Sequence, residues 1–252
     1  MSAAPRSALI ASDFILSSNP MPNPFKKLLA SFGKGVAATA TSVAAPAYAP
    51  YANAGVDAIY NLLFCDDAQA YASRPGQEPA AWQSTLFATP PDVPALERLA
   101  ADAQAEGRVR YLAYRRLREL GRSVPAKVLL GVIVEVPLRT GLDTLAAFSD
   151  GGIRYINQSG KMSVVDGVSP LDPIVRRLFD AARPVVQQIG PWDQPRLAPP
   201  TAGNARLTFL VSDGLYFGQG PMNVLQADAK GSPVLREAGA LLSAVVDLSL
   251  KK

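Results

Sequence analysis

Apolar residues recur along this chain first with a helical period, then with a strand period, then with the two in alternation. From residue 54 to 121 the spacing is three or four. Val56, Ile59, Tyr60 and Leu63 share a helix face, Asn53 stands ready to cap it, and it ends near Cys65-Asp66-Asp67. Pro75-Gly76, Pro79 and Pro90-Pro91 predict irregular chain over 68–91. Asp92 caps a second helix, from about Val93 to Glu106, carrying Leu96, Leu99 and Ala103. Gly107 separates it from a third, Arg108 to Leu120, which Gly121 ends.

At residue 127 the period falls to two. Residues 127–136 (KVLLGVIVEV) are almost uniformly apolar and predict a mostly buried strand. Leu142 to Ser149 follows, with Leu142, Thr144, Ala146 and Phe148 on one face. Asp150-Gly151 signals a two-residue hairpin, since both residues tolerate positive φ. Ile153 to Asn157, a Gln-Ser-Gly turn and Met162 to Asp166 complete a four-stranded meander. Asp172-Pro173 opens a helix striped by Ile174, Leu178, Ala181, Val185 and Ile189, with Pro184 set to kink or break it. A Pro-rich loop over 191–204 precedes a strand from Arg206 to Val211. Ser212-Asp213-Gly214 turns the chain, and Leu215 to Phe217 makes a sixth strand. Ser232-Pro233 starts a last helix facing the core with Leu235, Ala238, Leu242, Val245 and Leu248. Strands segregated from helices predict an α+β fold, an antiparallel sheet of five or six strands covered by helices on one face. The expected organisation is a leader over 1–54 and one α+β domain over 55–252.

The leader reads differently from the body. Residues 1–24 are rich in Ser, Ala and Pro and predict unstructured chain, and residues 37–54 read as a linker. Between them, Phe25, Leu28, Leu29, Phe32 and Val36 fall on one helical face and Lys27, Ser31 and Lys34 on the other. Phe25, Lys26, Lys27, Leu28, Leu29, Phe32 and Lys34 are therefore candidates for contact with a membrane surface or a partner. No acidic residue lies between Asp13 and Asp57, a pattern shared by transit peptides and plain leaders. Ala47-Tyr48-Ala49 has the form of a cleavage site, and Met21 is an alternative start. These alternatives stay open.

Charge sharpens the division. Of the net +4, residues 1–56 carry +3 (Arg6, Lys26, Lys27 and Lys34 against Asp13), leaving a body with 21 basic and 20 acidic groups. A body so nearly neutral argues against general nucleic-acid binding. No run of 18 apolar residues predicts a transmembrane helix.

The chain contains no histidine and one cysteine. Triads, Cys-His pairs, HExxH zinc helices and intrachain disulfides are thereby excluded. Cys65 lies beside two aspartates, which oppose thiolate formation, and reads as a packed thiol. No EF-hand spacing is present, so neither a metal nor a cofactor is expected. Two groups of residues are candidates for ligand binding. Arg116, with Arg115 beside it, sits amid Val109, Leu112, Ala113 and Leu120, and a charge on such a face must find a partner or snorkel. Asp213, Tyr216 and Gly218 lie in a turn-rich stretch where glycines let a ligand approach the backbone, although a hairpin explains it equally. Asp143, Asp150 and Asp166 near strand ends read as turn residues.

The stretches IYNLLFCDD (59–67), VLLGVIVEV (128–136), DTLAAFSDGGIRYINQSGK (143–161) and LTFLVSDGLYFGQGP (207–221) resemble a family of bacterial proteins of unknown function, over about residues 55–250. The resemblance implies a cytoplasmic bacterial protein and assigns no site. The residues leave three functions open: a non-catalytic binding or adaptor module whose partner is another protein, an enzyme acting on a small anionic ligand, and a peripheral membrane protein held by residues 25–36. Oligomeric state is not legible.

Overall fold

A computed structural model describes residues 47–166 and 169–249. The amphipathic segment 25–36 lies outside the described residues. Four helices come first: α1 (Ala54–Leu62), α2 (Ala81–Leu86), α3 (Val93–Ala101) and α4 (Gly107–Glu119), with a 3-10 turn at Ala68–Tyr71. The meander follows as β1 (Leu129–Leu138), β2 (Gly141–Phe148), β3 (Ile153–Ile156) and β4 (Met162–Val165). Then come α5 (Asp172–Gln188), β5 (Asn204–Val211), β6 (Gly214–Pro221), α6 (Met222–Ala227) and α7 (Gly231–Ser249). The strands form one antiparallel sheet in the order β4-β3-β2-β1-β5-β6. The fold class is α+β, as the segregated periods predict.

The sheet is covered on both faces, not one. Val132, Val134, Leu145, Leu207 and Phe209 pack under α5 and α7 with Leu178, Val185, Leu241 and Val245. Leu130, Ile133, Ala146, Phe148 and Leu210 pack under α1–α4 with Tyr60, Leu63, Leu96 and Leu112. Thus residues 54–120 complete the second layer. The apolar run of β1, interrupted by the charge of Glu135 alone, reflects this double burial; a strand with one wet face would alternate. Each fully buried aliphatic here contributes roughly 1.5–3 kcal/mol. The β1–β5 register shifts between Leu129 and Gly131, which brings Leu130 to the same face as Ile133.

Local departures from the sequence reading have local causes. The region 68–91 is not wholly irregular. α2 forms there because Gln83 Oε1 accepts from Ala80 N at 2.8 Å while Gln83 Nε2 donates to the Tyr71 carbonyl. α3 stops at Ala101 rather than Glu106, because Asp102 turns extended and its carboxylate accepts from Gln104 N. Gly107 begins α4. A Cβ there would lie 2.5 Å from the Leu130 carbonyl oxygen, so only glycine lets the helix start against β1. The β2–β3 loop is longer than two residues. Phe148 N donates to Gly152 O, and Gly151 takes φ +89, as in a three-residue hairpin loop. α5 runs unbroken through Pro184, and its buried stripe (Val175, Leu178, Phe179, Ala182, Val185, Val186) is rotated from the predicted one. Tyr48 and Tyr51, read as linker, pack against the body. Among the described residues, no helix is long and apolar enough to cross a membrane.

Candidate functional site

The two faces treat ionisable groups differently. Beneath α1–α4 a polar row crosses the sheet where the ladders align Thr144 with Glu135, Glu135 with Arg206, and Arg206 with Gln219. Glu135 and Arg206 are 0% and 2% exposed. Their ion pair is 3.5 Å, and Tyr60 Oη donates to Glu135 Oε1 at 2.6 Å. Arg206 also donates to Gln219 Oε1 at 2.8 Å and to the carbonyls of Leu197 and Ala198. The 191–203 loop thereby folds over the row and carries Arg196 into it. Arg196 Nε donates to Asp66 Oδ2 at 2.5 Å, its Nη2 to Asn61 Oδ1 at 2.9 Å, and its guanidinium lies 3.9 Å from the Phe64 ring centre. Tyr51 Oη meets Thr144 Oγ1 at 2.9 Å.

Burial raises the carboxyls of Glu135 and Asp66 above their ordinary range, against the pull of Arg206 and Arg196 respectively. It also raises the phenols of Tyr51 and Tyr60, which stay protonated donors. Two acids and two guanidinium groups balance here and satisfy one another, an arrangement that fastens the loop and α1 to the sheet. Glu135 Oε2 makes the ion pair but no hydrogen bond. Cys65, at φ +55, is fully enclosed, and burial pushes its thiol up to about 12. It is a packed thiol.

The opposite face leaves an opening. A cleft of about 100 Å³ has its floor on β1, β2 and β3 and its walls on α6 and α7. Val134, Val136 and Leu145 line the floor, and Met222, Leu235 and Leu242 the walls. Asp143 lies at the same surface. Tyr155 Oη donates to its Oδ2 at 2.9 Å and Gln158 N to its Oδ1 at 2.7 Å. Burial raises this carboxyl too, and the two hydrogen bonds oppose the rise. Gly239 of α7 also lines the cleft, and a Cβ built there meets nothing within 4 Å.

The residues singled out from sequence fall into two separate places. Arg115 and Arg116 both line a hollow of about 160 Å³ with Gln69, Thr89 and Glu119. Arg115 Nε donates to Glu119 at 2.9 Å, and its Nη1 donates to the carbonyls of Cys65 and Asp66 at the end of α1. Arg116 is partly exposed and pairs with Glu119 at 3.5 Å. Asp213 and Tyr216 bond to each other at 2.9 Å, and Asp213 also accepts from Lys127 N. Gly218 sits in the β5–β6 ladder opposite Leu207. Phe25, Lys26, Lys27, Leu28, Leu29, Phe32 and Lys34 lie outside the described residues.

Three side chains with larger roles escaped the sequence reading. Glu135 and Arg206 are opposite charges inside otherwise apolar strands, a pairing signal visible in VLLGVIVEV and RLTFLV. Asp143 is in phase with Leu145 and Ala147, on the face opposite Leu142 and Thr144, and so had to enter the core of that face. No protein-family model and no curated protein matches the chain.

Proposed function

We propose that this protein is a non-catalytic binding module whose ligand enters the cleft between the sheet and helices α6 and α7. The observation that carries this reading is the contrast at Gly239. A glycine inside a helix costs about 1 kcal/mol relative to alanine. Nothing among the described residues occupies the place of its missing side chain, and the space borders the cleft. The apolar lining with few polar groups suits a small ligand or a partner's side chain. Screening short alcohols, amines, carboxylates and sugars by methyl NMR on the full chain tests it. Saturable shifts confined to Val134, Val136, Leu145, Leu235 and Leu242 are expected, and their loss in Gly239→Leu. A panel that leaves those methyls unmoved sinks the reading.

A second reading, action on a small anion, is favoured by the two guanidinium groups at the 160 Å³ hollow. Phosphate or carboxylates then raise the melting temperature, and Arg116→Ala removes the rise. The membrane reading for residues 25–36 predicts liposome co-sedimentation that disappears when Met21 to Asn53 is deleted. A cytoplasmic setting accords with one enclosed, reduced thiol and with the bacterial resemblance.

A further inference from the structure

Among the described residues Asp143 and Asp228 are buried carboxylates without an ion pair; Asp228 accepts from the backbone amides of Lys230 and Gly231, and of the two only Asp143 lines the cleft. Glu135 is paired with Arg206 and Asp66 with Arg196. Asp143 is 7% exposed, yet no lysine or arginine among the described residues forms an ion pair with it. Its partners are a neutral phenol and a backbone amide, one on each oxygen. A carboxylate has about four acceptor positions, so each oxygen can take another donor. Burying a carboxylate without a counter-charge is costly, and the described residues supply none here. The cleft opens onto Asp143, and its other lining is hydrocarbon, the Gln226 side chain and the Tyr155 side chain, an aromatic of the kind that attracts cations. Gly239 of α7 lines the same cleft and withholds a side chain there.

We propose that the cleft binds a small organic cation, a short-chain alkylammonium ion whose nitrogen pairs with Asp143 and whose hydrocarbon lies against Val136, Leu235 and Leu242. This rests on the cleft being the ligand site. At about 100 Å³ the cleft is of the size that admits a short alkyl chain, since a dry cavity of about 150 Å³ accepts the larger benzene. Small anions are disfavoured by Asp143, and a neutral ligand leaves its charge uncompensated.

The test is calorimetric and methyl-NMR titration of the full chain with n-butylammonium, 1-butanol and butyrate. In the unaltered protein the ammonium should bind about tenfold or more tighter than the alcohol, the gain of a charge-assisted hydrogen bond, and butyrate should bind weakest. Asp143→Asn should bring ammonium and alcohol within about twofold of each other, since the amide keeps the shape but not the charge. Gly239→Leu should abolish both. Because the comparison of ammonium with alcohol is made on the unaltered protein, misfolding of either variant cannot rescue the proposal. If the alcohol binds as tightly as the ammonium at the cleft methyls, the cation inference is wrong and the ligand cleft survives. If neither molecule moves those methyls, or Gly239→Leu binds as before, both are wrong.

Discussion

The two faces of one sheet solve opposite problems. Under α1–α4 the strands bury Glu135 and Arg206, and the fold answers each charge with another, drawing in Tyr60, Arg196 and Asp66. Under α5–α7 the strands bury hydrocarbon, and the one carboxylate, Asp143, faces an opening with neutral partners only. A charge cluster that closes on itself is architecture. A charge half-answered by the described residues, beside an apolar cleft, is what the proposed ligand site rests on. Charge count alone would have ranked the faces the other way.

The contrast can be broken most sharply at Arg206. Replacing it with leucine strands Glu135 without its counter-charge. Removing one member of such a pair costs about 3–5 kcal/mol, read by urea denaturation. The double variant Glu135→Leu with Arg206→Leu should recover most of that loss. A single variant losing under about 1 kcal/mol would show that the network does not hold the fold, since exposed pairs are worth that little.

Within the apolar face, Leu241 and Leu235 separate packed core from cleft wall. Leu241→Ala should cost about 2–5 kcal/mol, as for other enclosed leucines. Leu235→Ala borders open space and should cost less than half as much. Equal losses would mean that the cleft is filled in solution.

Acid sharpens the comparison further. Burial raises the carboxyls of Glu135, Asp66 and Asp143, so the folded protein holds those protons more tightly than the unfolded chain does. Their favourable contribution is complete below the ordinary carboxylate value of about 4 and is lost as pH rises through the raised folded values. Thermal melts should therefore show higher stability at mildly acid pH than at neutrality, and Glu135→Gln should flatten the slope. Stability that falls from neutrality downward would contradict the burial account.

The smallest effect is expected at Arg116. Its pair with Glu119 is exposed, so Arg116→Ala should change unfolding free energy by no more than about 0.5 kcal/mol. A larger loss would mark the α4 hollow as structurally coupled to the core.

How much of this was legible in the chain depended on range. Asn53 and Asp92 sit before periodic runs and do cap their helices, since a cap is a contact across two or three residues. Gly121 at φ +69 ends α4 for the same reason. The meander was legible because apolar runs of strand length are set off by turn residues such as Asp150-Gly151 and Gln158-Ser159-Gly160. The second helical layer was not, because periodicity states which side of α1 or α4 is apolar and not which sheet face receives it. Helix α6 has a single turn and a half and no cap, so nothing marked it. The site was least legible. Arg116 looked anomalous on a helical wheel, yet its long stem reaches Glu119 at the surface. Asp143 looked like a turn residue, yet strand phase carries it inward. Its neighbours Tyr155 and Gly239 come from elements 12 and 96 positions away, and only the folded topology brings them to one cleft.

Whether the space at Gly239 belongs to a ligand or to the fold is asked directly by urea denaturation of Gly239→Leu. Filling open space while removing a helix glycine should leave the protein at least as stable as the original, with a gain of about 1 kcal/mol from helix propensity alone. A variant less stable by 1 kcal/mol or more, the range of an overpacked core, would contradict it.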